Sequence, residues 1–205
     1  MPERSYAREH WPLINSVSLD PTTDNVIASS RNTSSVFIID RVTGNIVWHV
    51  TAPTVCQQHC AHPINSAGDL IRDNGVFRPE ISVPFSRAII VSRQSKQVIW
   101  EWKDSTTGGL GFVTPFMGSA QMLANGNVLI CEAATGRIMD VTEGKQLVWE
   151  FVVPQLNTYK KVMTKRVLAE MQRIGFMYES NAIFRAYKYL PSEVPWLKGV
   201  ESVGP

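Results

Sequence analysis

The sequence is short of several things, and each shortage removes a class of function. It has three cysteines, Cys56, Cys60 and Cys131, in 205 residues. An odd count without an apolar leader argues against a disulfide framework. Soft ligands cluster once, in Cys56-Gln57-Gln58-His59-Cys60-Ala61-His62, and no second ligand pair follows to close a zinc site. The sequence therefore points to no metal and no cofactor. No apolar run approaches the ~20 residues that span a bilayer. The N-terminus, MPERSYAREHW, carries charges where a signal peptide needs an apolar core. As written, the chain reads as soluble, cytoplasmic and without a membrane partner. Charge is scarce as well: 19% of residues are charged, and 20 Lys+Arg against 18 Asp+Glu leave a net +2. With no basic run or stripe there is no electrostatic argument for nucleic acid. At 44% hydrophobic residues the chain is too apolar for a disordered one.

What the sequence does have is internal repetition. SSVFIIDRVTGNIVWHV (34–50), SRAIIVSRQSKQVIWEW (86–102) and GRIMDVTEGKQLVWEF (136–151) share one form. In each, a β-rich run meets a polar turn, and a second strand ending in a tryptophan follows. The tryptophans, Trp48, Trp100 and Trp149, are spaced by 52 and 49 residues. Repetition at ~40–50 residues marks propeller blades or a related all-β array. Val26–Ser30 and Asn127–Cys131 precede the first and third repeats, each after turn residues such as Asn125-Gly126. The reading is an all-β chain, a β-propeller with three clear blades at about 12–50, 56–103 and 112–153. A lone four-stranded blade cannot bury both faces, so each repeat tryptophan is expected to pack between neighbouring sheets.

After Val153-Pro154 the pattern changes. Met163, Val167, Met171 and Ile174 form a narrow apolar stripe among good helix formers, which predicts an amphipathic helix over about 158–175. It would pack on its own propeller or on a partner. The alternation in Asn181–Tyr189 predicts a terminal strand over about 181–190 that could complete another blade. Three blades are few for a ring of four to eight. Two chains giving six blades would close it as a homodimer.

Candidate chemistry gathers in the second unit. His59 and His62 share a loop-like segment, and Asp73-Asn74-Gly75 is expected to turn the chain so that Arg78 returns toward the same end. A guanidinium grips two oxygens of a sulfate or phosphate, and an imidazole can attack or shuttle a proton. Of the other histidines, His10 precedes Trp11, and His49 stands where the other repeats carry Glu101 and Glu150, as an exposed variant.

HWPLINSVSLDPTTDNVIASSRNTSSVFIIDRVTGNIVW (10–48), QQHCAHPINSAGDLIRDNG (57–75) and FMGSAQMLANGNVLICEAATGRIMDVTEGKQLVWEF (116–151), with the tail NAIFRAYKYLPSEVPWL (181–197), resemble the arylsulfotransferase family. They correspond to the C-terminal half of a typical member. The resemblance implies a six-bladed propeller that moves a sulfuryl group from a phenolic sulfate to a phenol through a sulfated histidine, without a nucleotide donor. It places a family histidine at His59, an anion-binding arginine at Arg78, and substrate contacts at Asn15 and Asn74. It also exposes departures. One family histidine falls on Leu13, and no histidine stands near Phe116–Gln121, where the nucleophile is expected. His62 or His10 would have to substitute. The alternatives are a non-catalytic propeller that binds an anion, an aromatic or a protein, and a quinone-dependent enzyme. The last lacks its calcium-binding carboxylates and adjacent cysteines.

Overall fold

Short polar turns fold the chain into antiparallel meanders. The Asp20 carboxylate accepts bonds from the Thr22 N–H and the Thr23 hydroxyl, and Asp40 does the same for Val42 and Thr43. Such side-chain-to-backbone bonds stabilise tight reversals. Between them, runs rich in Val and Ile form the strands. The computed structural model describes residues 12–79, 81, 83–104, 111–158, 164–166, 169, 179–194 and 196. Blade 1 comprises β1 (Ile14–Leu19), β2 (Val26–Ser30), β3 (Ser35–Ile39) and β4 (Ile46–Thr51). Blade 2 comprises β5 (His59–Asn65), β6 (Gly68–Asp73), β7 (Arg87–Ser92) and β8 (Val98–Trp102). Blade 3 comprises β9 (Ser119–Met122), β10 (Val128–Glu132), β11 (Arg137–Val141) and β12 (Leu147–Val152). Each is a four-stranded sheet in simple sequence order, and a two-stranded ribbon, β13 (Asn157–Thr158) with β14 (Glu179–Ser180), follows. Among the described residues, no helix is long and apolar enough to cross a membrane.

The blades stack face to face, with blade 2 in the middle. One core joins Ile27, Val36 and Ile38 of blade 1 to Ile71, Ile89 and Val91 of blade 2. A second joins Leu70, Ile90 and Trp102 to Ile130, Met139 and Val141 of blade 3. β6 is buried along its whole length, as a strand covered on both faces must be. The inner strands carry the closest contacts: Ala61 of β5 donates its N–H to the Ser16 hydroxyl of β1, and Ser18 donates to the Ala61 carbonyl, both at 3.1 Å. Arg93 clamps the first seam, reaching Asp20 at 2.5 Å and Asp69 at 2.8 Å. The hydrogen bonds of Thr22, Arg93 and Thr23 hold the Asp20 carboxyl below its ordinary range, although burial opposes them.

Two of the three repeat tryptophans pack as expected. Trp48 is 9% exposed and donates its indole N–H to the Arg93 carbonyl of blade 2 at 2.8 Å. Trp100 donates to the Glu143 carbonyl of blade 3 at 2.9 Å. Trp149 differs: it is 46% exposed and, among the described residues, stacks only on Phe151 of its own strand. The cause is its position, because no described blade follows β12, whose six residues are all exposed.

Residues 181–190 do not form the expected strand. They run beside β9 without entering a ladder: backbone bonds join the Gly118 N–H to the Phe184 carbonyl and the Ile183 N–H to the Ala133 carbonyl, both at 3.0 Å, and the bonds to β9 itself pass through side chains. The Ser119 hydroxyl both accepts the Ala186 N–H and donates to its carbonyl, and the Gln121 amide does the same for Lys188. The Arg185 guanidinium continues to the Asn15 carbonyl of β1 at 2.6 Å. The amphipathic helix expected over 158–175, apart from Thr158, which belongs to β13, and residues 164–166 and 169, lies outside the described residues, as does its apolar stripe.

Trp48→Phe removes one interblade N–H and some packing, so it should lower unfolding free energy by about 1–3 kcal/mol in urea titration. Trp149→Phe, at the exposed equivalent, should change it by less than about 0.5 kcal/mol.

Candidate functional site

His59 opens β5 at the inner end of blade 2, and its neighbourhood is fixed by a one-residue bulge. His59 pairs with Arg72 and Ala61 with Ile71, leaving Cys60 as the extra residue, with φ of 51°. Bulges re-aim side chains in this way. The Asp73-Asn74-Gly75 turn follows β6, and here glycine is required: φ is 72°, and a β-carbon on Gly75 would stand 1.9 Å from the Phe85 carbonyl oxygen.

The imidazole of His59 is 6% exposed and both of its nitrogens are occupied. The Met117 N–H donates to Nε2 at 3.2 Å, and Nδ1 lies 2.8 Å from Asn74 Oδ1. A backbone N–H can only donate, so Nε2 carries the lone pair and the proton sits on Nδ1, donated to Asn74. Asn74 in turn donates its amide hydrogens to the carbonyls of Thr114 at 2.8 Å and Met117 at 3.0 Å. Burial pushes the His59 pKa down to about 4; the Asn74 bond opposes this, and the Arg31 and Arg72 cations add to it. His59 is thus a neutral ring that clips the 114–117 loop to blade 2.

Arg78 does return to this end, but its charge goes elsewhere. It donates to the Asp73 carboxylate at 2.7 Å and to the Pro53 carbonyl at 3.1 Å, and it lies 4.7 Å from the Phe85 ring centre. Asp73, fully buried, also accepts Arg87 at 2.8 Å and the Cys56 N–H at 2.9 Å. No hydrogen bond joins Arg78 to His59; Asn74 is the part of the turn that reaches the imidazole. Asn15 donates its amide to the Gln58 carbonyl at 2.7 Å, with its Oδ1 unpartnered. His10 lies outside the described residues.

His62 faces the same side of blade 2 and is half-buried. Its Nδ1 lies 3.8 Å from the Cys60 sulfur, and Nε2 has no hydrogen bond among the described residues. Burial, with a smaller contribution from the Arg185 cation, lowers its pKa to about 4. Burial raises the Cys56 and Cys131 thiols to about 11, and Cys60 is raised for the same first reason. All three are free, buried thiols, protonated at neutral pH and poor nucleophiles.

Arg72 is the residue that the sequence reading passed over. It is fully buried and lies 4.3 Å from the Phe112 ring centre, with Nη1 on the Asp73 and Arg87 carbonyls and with Nε and Nη2 unpartnered. Burial lowers its pKa to about 10. The available signal was Arg72 itself, a cation directly after the apolar pair Leu70-Ile71 of β6. No cluster of three or more potential metal ligands occurs among the described residues. A cavity of about 240 Å³ lies between the 121–125 turn and Lys188. Another of about 380 Å³ lies along the rim, between Glu101 and Arg137. Neither is lined by His59 or His62.

Two outcomes follow. Asp73→Ala strands buried Arg78, while Arg87 keeps Glu101 as its partner, and it should cost about 3–5 kcal/mol in urea unfolding. His59 has a folded pKa below its ordinary 6.5, so its contribution to stability is complete above about pH 6.5 and is lost as pH falls through about 4. The midpoint-against-pH curve of His59→Gln should therefore be flatter than that of the wild type across this window.

Three comparisons place the chain. It is similar to the hydrazine synthase of Kuenenia stuttgartiensis at 14% identity, covering 76% of this chain and 40% of that one, with a TM-score of 0.52. It is similar to the WD40 β-propeller domain of Doa1 at 9% identity, covering 71% and 44%, with a TM-score of 0.51. It is also similar to virginiamycin B lyase from Staphylococcus aureus at 10% identity, covering 70% and 42%, with a TM-score of 0.50. These likenesses support the propeller fold alone, and the chain spans less than half of each structure. Comparison with curated proteins finds no match. The arylsulfotransferase (ASST) family profile matches residues 5–153, a stretch that contains all three blades together with His59, Asn74 and Arg78, and the chain belongs to that family.

Proposed function

We propose that this arylsulfotransferase-family propeller is a non-catalytic binding or scaffold module. The observation that carries this reading is the Met117 N–H on His59 Nε2. A sulfuryl acceptor needs that lone pair free. Releasing it would leave a partly buried backbone donor unpaired, at about 1–3 kcal/mol per orphaned group. The segment where the family's nucleophilic histidine is expected supplies this backbone donor instead. Arg78, the expected anion clamp, has its charge committed to buried Asp73.

One observation favours a catalytic reading, and it concerns His62. Its Nε2 is unengaged among the described residues and its ring is neutral. In that reading the sulfuryl sulfur bonds to His62 Nε2 as its bond to the donor's phenolic oxygen breaks. The phenolate leaves, and a second phenol takes the group while giving up its proton.

The deciding experiment is sulfuryl transfer from p-nitrophenyl sulfate to phenol by the wild type, His59→Ala and His62→Ala, each shown to be folded by its cooperative melt. The binding reading expects no turnover from any of them, with a melting shift on adding the aryl sulfate. Wild-type turnover that disappears in His62→Ala and persists in His59→Ala would overturn it and establish the second reading.

A further inference from the structure

The two interblade seams use one device, and the chain carries its parts a third time without joining them. Arg93 and Glu143, the carbonyls that receive Trp48 and Trp100, occupy the same place in their turns. Each follows the residue whose carbonyl closes the turn, Ser92 for Lys96 and Thr142 for Lys145. In blade 1 the turn is closed by Asp40 and Gly44, so the equivalent carbonyl belongs to Arg41. Trp149 is the third donor, without a partner for its N–H among the described residues, and Arg41 is the third acceptor position. The surfaces around them match in character. Trp149 and Phe151 on the open face of blade 3 are 46% and 44% exposed, and Val17 and Leu19 on the outer face of blade 1 are 63% and 53% exposed.

The inner half of the blade 3 face is already taken. Ala186 meets Ser119 through its N–H and carbonyl, just as Ala61 of β5 meets the Ser16 and Ser18 hydroxyls of β1. Lys188 adds a bond to Asp140 at 3.3 Å. Residues 183–188 therefore sit where the inner strand of a following blade would sit, held by face contacts and not by a ladder.

We propose that the open face of blade 3 receives blade 1 of a second copy of this chain, with Trp149 donating to Arg41, and that the 183–188 segment is a plug this second copy displaces. By twofold symmetry, blade 3 of each copy meets blade 1 of the other. Two chains then close a six-bladed ring through two equal seams, each a full sheet face like those already inside the chain. The apolar exposure of both faces is the driving force, since patches of this kind mark association sites. The plug sets the threshold: its bonds must be given up, so it competes with the second copy for Ser119 and Gln121.

The test is molar mass by light scattering over a roughly hundredfold range of protein concentration. The wild type is expected to move from 22.9 kDa toward twice that mass as concentration rises. Arg185→Ala with Lys188→Glu, which loosens the plug without touching the seam, should lower the midpoint concentration about tenfold. Trp149→Arg and Val17→Lys should each keep the chain monomeric while its melt stays cooperative. An equimolar mixture of those two variants should recover a dimer, because it restores one of the two seams. The proposal is overturned if the plug-loosened variant stays at 22.9 kDa throughout, if a dimer survives both Trp149→Arg and Val17→Lys, or if their mixture stays monomeric. A dimer whose midpoint ignores the plug substitutions would overturn the displacement.

Discussion

A four-stranded sheet has two faces, and both must be covered before the sheet is worth folding. Everything in this chain follows from how that requirement is met. Blade 2 meets it completely, because a sheet lies on either side and β6 is buried from end to end. Blades 1 and 3 meet it on one face each. The polar devices respect the same geometry: Arg93 bridges two blades to two buried aspartates, and Trp48 and Trp100 each carry a hydrogen bond over a seam. The seams are thus apolar in the middle and stitched at the rim, which fixes the register of one blade on the next.

The same economy shapes the inner end of blade 2. Asp73 gathers two arginines and a backbone N–H, and Asn74 gathers an imidazole and two carbonyls. The His59 ring nitrogens, the Asn74 amide and the Arg78 charge are here satisfied by the protein itself. A polar network of this kind rigidifies its surroundings, because each bond removed leaves a buried group unpaired. It fixes the 114–117 loop, whose one aromatic side chain, Phe116, is exposed and does not anchor it.

The architecture was legible because periodicity reports burial directly. Hairpins at 34–50, 86–102 and 136–151 carry β-rich apolar runs around polar turns with strong local preferences, and they appear as β3–β4, β7–β8 and β11–β12. Position in the stack was not legible, since LVWEFV in β12 reads like its buried counterparts and differs only in having no neighbour. The site was half legible. His59, Asn74 and Arg78 could be picked out by type and by family likeness, but which of them pair depends on distances that no spacing encodes. Arg78 spends its charge on Asp73, five residues before it, a partner that the turn chooses. Arg72 went unseen because a cation in a core strand defeats a reading based on hydrophobic pattern. Residues 181–190 alternate as a strand does, yet Ala186 and Lys188 meet side chains of β9, so alternation there reflects a surface matched and not a ladder formed.

The bulge at Cys60 has a consequence for how histidines are addressed in this fold. In a regular strand His59 would share the face of Ala61, which looks into the seam with blade 1, while His62 would look toward blade 3. One inserted residue cancels that parity. His59 pairs with Arg72 and His62 with Leu70, and both rings are delivered to the blade 3 side. The count of residues between two histidines is therefore a switch with two settings. An odd number of steps ordinarily sends them to opposite seams, and a single left-handed residue brings them to one. A relative that lacked the extra residue could keep the same histidine, yet present it to the other blade, where neither Met117 nor Asn74 would be in reach.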